Sequence, residues 1–178
     1  MRFGELLTED ISTDPGALTT LLRGIEDLQE DIDSEAMDFD SESQAYRRLE
    51  RDYRALEAAA NVVRNNLKAL KNHELAKNSL FLYDLKGSTN NIESLGAIHI
   101  KLTGEIAYVN WLGSYGASGR QLMQRALEQA RDRGAKRVKV TAKWDSEGFY
   151  RKMGLQQGAT TGNPLVGSNF TDFSGDIK

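Results

Sequence analysis

The sequence predicts an α/β (α+β) protein: a mixed central sheet with one helical crossover, carrying a long helical hairpin at its N-terminal end. Three observations predict it. Apolar residues recur at spacings of 3 and 4 through most of the first 70 residues. From Ser79 the period drops to 2. Between Glu105 and Lys143 a strand pattern, a helix pattern and a second strand pattern follow in order, as a parallel crossover requires. The 178 residues read as one domain, 1–178, with 14–75 the elongated hairpin and 79–178 the sheet core.

The stretch Arg2–Leu7 reads as a short first strand. Asp14-Pro15 is an N-cap followed by proline at the first helical position. Leu18, Leu21, Ile25, Leu28 and Ile32 then form the apolar seam of a first helix, which the acidic segment is expected to break. Ser43 is placed to cap a second helix, whose seam is Tyr46, Leu49, Tyr53, Leu56, Ala60, Val63, Leu67 and Leu70. That implies roughly 30 residues and about 45 Å of helix. Two such helices joined by a turn make an antiparallel hairpin with coiled-coil spacing. The longer seam leaves Tyr46, Leu49 and Tyr53 as its expected exposed end, a site for self-association or a protein partner.

Strands are expected at Ser79–Leu85, Leu95–Leu102 and Glu105–Leu112, with a polar turn over Lys86–Ser94 and a tight turn at Thr103-Gly104. Leu122, Met123, Ala126, Leu127 and Ala130 mark one face of a helix that ends at Gly134. Arg137–Lys143 is the next strand, a short helix over "SEGFYRKM" stops at Gly154, and "LQQGA" and "NFTDFSGDI" are the last strands.

Charge divides the chain. Residues 1–60 carry 16 acidic and 6 basic side chains, and residues 61–178 carry 10 and 17. Glu26–Glu42 holds nine carboxylates and no base, a solvated face or a surface for a basic partner. Phosphate would be repelled by this half, and the basic half carries no nucleic-acid motif, so a nucleic-acid partner is not expected. There is no cysteine, which excludes disulfides and thiol nucleophiles and argues against structural zinc. His73 and His99 are too few and too distant in sequence to suggest a metal site. No window approaches the ~18 apolar residues of a membrane span. The N-terminus does not resemble a secretory signal, so the expected location is cytoplasmic.

The apolar run ending at Leu112 is followed by small residues, with Gly113, Gly116 and Gly119 three apart, and then by the crossover helix. Free N–H groups and partial positive charge at a helix start suit an anion. Arg120, Arg125, Lys136, Arg137, Lys139 and Lys143 lie nearby in sequence. A plain strand-to-helix turn is the other reading. The stretch lacks the Lys-Ser or Lys-Thr of a Walker A loop, and its glycines are spaced wrongly for a dinucleotide fingerprint.

In order of elements the chain resembles the GNAT family of acyl-CoA N-acyltransferases. Ser114–Gly119 followed by Leu122 is similar to that family's pyrophosphate loop, with Ala117 at the first small position and Ser114 where glutamine or arginine is usual. "GFYRKMGL", Gly148–Leu155, resembles its F-Y-x-x-x-G-F signature, with Leu155 in place of phenylalanine. The resemblance implies acetyl-CoA as co-substrate, an amine as acceptor, and strands Glu105–Leu112 and Arg137–Lys143 that splay to admit the acyl-CoA. It places the pyrophosphate on Ala117, Ser118, Gly119, Arg120 and Gln121. Trp111 and Leu112 would offer backbone groups to the pantetheine arm, and Ser146 would line the groove. Tyr150 matches the tyrosine that protonates the leaving sulfur. His99 is a candidate base, although a strand histidine is more often structural.

Two functions follow. One is an acetyl-CoA-dependent N-acetyltransferase. The alternative is a GNAT-like fold kept as a structural or assembly component of a larger complex, such as a virus particle. The missing loop glutamine or arginine, the lack of a convincing base and the long hairpin favour the alternative.

Overall fold

A computed structural model describes residues 15–70, 78–88, 91–116, 119–143, 145–163 and 168–177. The expected strand Arg2–Leu7, the cap at Asp14, and the loop residues Ala117 and Ser118 lie outside them. Helix α1 spans Pro15–Ala36 and α2 Gln44–Leu70. The strands are β1 Ser79–Ser88, β2 Asn91–Thr103, β3 Ile106–Tyr115, β4 Arg137–Lys143, β5 Gln156–Asn163 and β6 Ser168–Asp176. Helix α3, Gly119–Asp132, links β3 to β4, and the short α4, Glu147–Lys152, follows β4.

The six strands lie in the order β1-β2-β3-β4-β6-β5. All neighbours are antiparallel except β3 and β4, which the α3 crossover makes parallel. Alternation along the strands separates two cores. Leu80, Leu82, Ile98, Ile100, Ala107, Val109, Val138 and Val140 pack with Leu122, Met123 and Ala126 of α3. Phe81, Leu95 and Ala97 turn the other way, onto Leu18, Leu21 and Ile25 of α1 and Leu56, Ala59, Ala60 and Val63 of α2. The hairpin seam therefore closes on the sheet as well as on itself, and it is not a coiled coil of two helices alone.

Ser43 caps α2 as expected, its Oγ accepting the Tyr46 N–H at 3.0 Å. Helix α1 breaks within the acidic segment, as expected, but only in its last part, at the turn 37–43. It runs on to Ala36, because Ile32 stays in the core while Glu26, Asp27, Glu30, Asp31, Asp33 and Glu35 all face solvent. The helices are thus closer in length than their seams suggest, 22 and 27 residues. Tyr46, Leu49 and Tyr53 are accordingly half-buried, not an exposed stripe. The exposed apolar side chains at that end are Met37 and Phe39 in the turn.

Most of the expected turn Lys86–Ser94 is ladder, with the register shifting between Lys86 and Gly87. Backbone pairing there does not need apolar side chains, so an apolar pattern could not reveal it. Strand β3 likewise continues past Leu112, with Gly113, Ser114 and Tyr115 paired to Ala97, Gly96 and Leu95.

Candidate active site

Strands β3 and β4 pair only from Ile106–Val109 to Arg137–Val140. Beyond that level each follows its other neighbour: β3 stays on β2 as far as Tyr115, and β4 stays on β6 as far as Lys143. The two strands part, and the backbone groups of residues 110–115 are left without a ladder on that side.

Two local causes are visible. The β2–β3 register shifts between His99 and Ile100, whose partners are Trp111 and Val109, so Asn110 is an extra, bulged residue. A bulge bends and twists its strand. Gly113 then lies directly under α2: a Cβ there would stand 2.6 Å from the Ala59 amide nitrogen and 2.7 Å from the Ala58 carbonyl carbon. Only glycine lets helix and strand backbones approach so closely. The end of β3 is held against the hairpin, while Ala142 of β4 stays in the opposite core.

The start of α3 faces the same end of the parting strands. Gly116 makes the turn with φ +60°. A Cβ on Gly119 would lie 3.6 Å from Ser114 Cβ and 3.7 Å from Phe149 Cε2, so β3, α3 and α4 converge at Gly119. Arg120 stands at this end, its guanidinium donating to the Lys152 carbonyl at 2.8 Å and bridging α3 to α4. Lys143, the last residue of β4, also stands at this end, but the other cations named beside the loop do not gather there. Arg125 pairs with Asp84, Lys136 with Glu105 and Arg137 with Asp176. Lys136, Arg137 and Lys139 sit at the beginning of β4, the end away from the α3 N-terminus.

Ser146 turns the chain from β4 into α4, its Oγ donating to the Lys143 carbonyl at 3.0 Å. Tyr150 follows on α4 and is 6% exposed. Its ring meets Phe149 edge-on, with centroids 5.1 Å apart, and Phe173 at 5.8 Å. Burial pushes its hydroxyl up to about 12, so the proton is held throughout the neutral range.

His99 lies on the other face of the sheet, because Ile98 and Ile100 on either side of it belong to the α3 core. It is 8% exposed, and burial lowers its pKa, favouring the neutral ring. The bulged Asn110 donates from Nδ2 to His99 Nδ1 at 3.4 Å. That contact puts the proton on Nε2, which is buried without a partner among the described residues. Trp111, opposite His99, is 45% exposed, whereas Leu112 turns into the α3 core.

The structure thus gathers Gly119, Ser114 and Phe149 at the end of the parting strands. It separates His99 from Tyr150 by the thickness of the sheet. Sequence reasoning missed two residues that shape the cleft. Asn110 carries no mark of a bulge. Gly113 read as a loop glycine, although Ala58-Ala59-Ala60 in α2 signals a close helix approach.

No protein-family model matches the sequence, and no curated protein matches it either. Solved structures do match in shape. A protein described as an acetyltransferase of the GNAT family, from Desulfovibrio desulfuricans, superposes with a TM-score of 0.51 at 12% identity, over 70% of this chain and 89% of its own. An acetyltransferase from Bacillus cereus matches 78% of this chain and 96% of its own, with a TM-score of 0.48 and 13% identity. A Bacillus subtilis acetyltransferase, solved in complex with CoA, matches 60% of this chain and 82% of its own, with a TM-score of 0.47 and 15% identity. No helix among the described residues is long and apolar enough to cross a membrane. The strand order, the single parallel pair that opens and the first of these likenesses agree: the fold of this chain is that of the GNAT acetyltransferases.

Proposed function

We propose that the protein is an acetyl-CoA-dependent N-acetyltransferase that acetylates an amine. The observation that carries this reading is the parting of β3 from β4 beyond Val109 and Val140, with the α3 N-terminus at the open end. Unladdered backbone of residues 110–115 is suited to hydrogen-bond an extended amide-bearing arm. The amides of Gly119, Arg120 and Gln121, together with Ala117 and Ser118, suit a pyrophosphate. The site residues fit the group in one further respect. Gly119 brings no side chain between Ser114 and Phe149, so the approach to the helix start carries no added bulk.

Acetyl-CoA, when bound, supplies a thioester whose carbonyl carbon accepts the amine nitrogen and whose sulfur departs as a thiol. One proton must therefore reach the sulfur and one must leave the nitrogen. Tyr150 holds its proton and is the donor in this scheme. His99, the candidate base, has its Nδ1 engaged by Asn110 on the opposite face of the sheet from Tyr150, so the proton from the nitrogen passes to water at the open end of the cleft in this scheme. Trp111 and Leu112 offer backbone groups along the arm, and Ser146 borders the groove where β4 ends. The site occupies the sheet core, with the hairpin helices α1 and α2 closing one side.

Calorimetric titration with CoA tests the reading, followed by a thiol-release assay with acetyl-CoA and a panel of primary amines. CoA binding and amine-dependent thiol release are expected. Absence of any CoA binding would overturn the proposal. Tyr150→Phe is expected to lower turnover by ~10²–10⁴-fold with CoA affinity retained. Unchanged turnover would remove Tyr150 from its role without touching the fold assignment.

A further inference from the structure

The hairpin tip carries both signs of charge on neighbouring surfaces. Arg47, Arg48, Arg51 and Arg54 fall at i, i+1, i+4 and i+7 of α2, on the side opposite Leu49, Tyr53 and Leu56. All four are exposed. Arg54 pairs with Glu50 and Arg51 reaches Asp52, but Arg47 and Arg48 enter no ion pair among the described residues. With Gln44, Ala45 and Arg51 they line a hollow of about 400 Å³. A few residues earlier, the turn presents Asp38, Asp40 and Glu42 around Met37 and Phe39, which are 82% and 41% exposed. Asp40 is used within the turn, where it accepts the Glu42 N–H at 2.9 Å. Asp38 and Glu42 make no ion pair among the described residues.

We propose that this tip is a self-association surface whose occupant is a second copy of the chain. An apolar pair ringed by carboxylates, beside an arginine-lined hollow, is complementary to itself under a two-fold axis. Each turn then lies on the other chain's arginine face, and the contact is made twice. Met37 and Phe39 form the dry centre, and the charges form the rim and set the register. A partner of one charge sign would satisfy only half of this surface, which is why a second copy is the better occupant. The inference rests on the tip alone and is independent of acyl transfer.

The test is mass by light scattering at micromolar concentrations, with folding followed by circular dichroism. The wild type is expected at twice the chain mass of 19.8 kDa. It should fall toward the single mass near 1 M salt, where the Debye length shrinks to about 3 Å. Asp38→Lys with Glu42→Lys makes the tip basic and leaves the Asp40 turn intact. Arg47→Glu with Arg48→Glu makes it acidic. Each double variant alone is expected to be monomeric, and an equimolar mixture should regain the double mass. A wild type that is a monomer, variants that stay dimeric, or a mixture that stays monomeric would each overturn the proposal.

Discussion

His99 and Tyr150 are buried on opposite faces of the sheet, and burial acts on each in favour of its neutral form. For His99 the folded pKa lies below the unfolded value of about 6.5. Below that pH the unfolded chain binds a proton that the folded chain refuses, so stability is lost as pH falls through this window. His99→Leu should flatten that acid slope, read from urea midpoints near pH 5 and near pH 7. A slope identical to wild type would show that His99 titrates normally. For Tyr150 the sign is reversed in pH. The unfolded phenol ionises near 10, while the folded one keeps its proton to about 12. Stability is therefore lost as pH rises between those values, and Tyr150→Phe should remove that loss. Gly113 makes a steric prediction. Gly113→Ala places a methyl carbon 2.6 Å from a backbone nitrogen, and overpacking of this kind costs about 1–3 kcal/mol, measurable by urea denaturation. A variant as stable as wild type would mean that α2 retreats freely. None of these three environments was legible in the sequence, where a residue's type is plain but its distance from another element is not. Tyr150 was named through its motif, and nothing in the motif told how deeply it is buried.

At the scale of elements, periodicity revealed α1 to α3 and β1 to β4, whereas the short α4 and the last two strands carry little period, and β5 runs on to Asn163, past the expected "LQQGA". Periodicity was weakest where backbone pairing, not side-chain burial, sets the boundary. Strands β1 and β2 extend into polar sequence, and β3 takes three of the supposed loop residues, Gly113, Ser114 and Tyr115, into its ladder. The acidic segment does end α1, but only from Met37 on, because the carboxylates up to Glu35 lie on the solvent face and leave Ile32 in the core. The parting of β3 and β4 came from the family resemblance and from no feature of hydropathy. The start of α3 carries the prediction at this scale. Gly119→Glu adds a carboxylate and a long side chain where phosphate should approach, while position 119 itself has room for a Cβ. CoA affinity should drop by at least ~10-fold, since a bound anion meets a like charge instead of free helix amides. Calorimetry measures it, and an unchanged affinity would move the phosphate site elsewhere.

For the whole molecule, the two cores lie on opposite faces of one sheet, so a ligand between β3 and β4 touches the structure where both layers meet. Binding there should stabilise the entire fold. At free CoA about 100 times its dissociation constant the gain is about 2.7 kcal/mol, seen as a rise in melting temperature. The uneven charge of the two chain halves was plain from the sequence. What it could not reveal is that Arg125, Lys136 and Arg137 are drawn into separate ion pairs, leaving Arg120 and Lys143 at the open end of the cleft.

The contact of Gly113 with Ala58 and Ala59 has a mechanical meaning as well. Backbone touches backbone there, with no side chain between to bend or repack. Such a joint has no slack: a shift of α2 across the sheet must carry the end of β3 with it. The place of α2 on the sheet and the course of the end of β3 are therefore set together, not one by one.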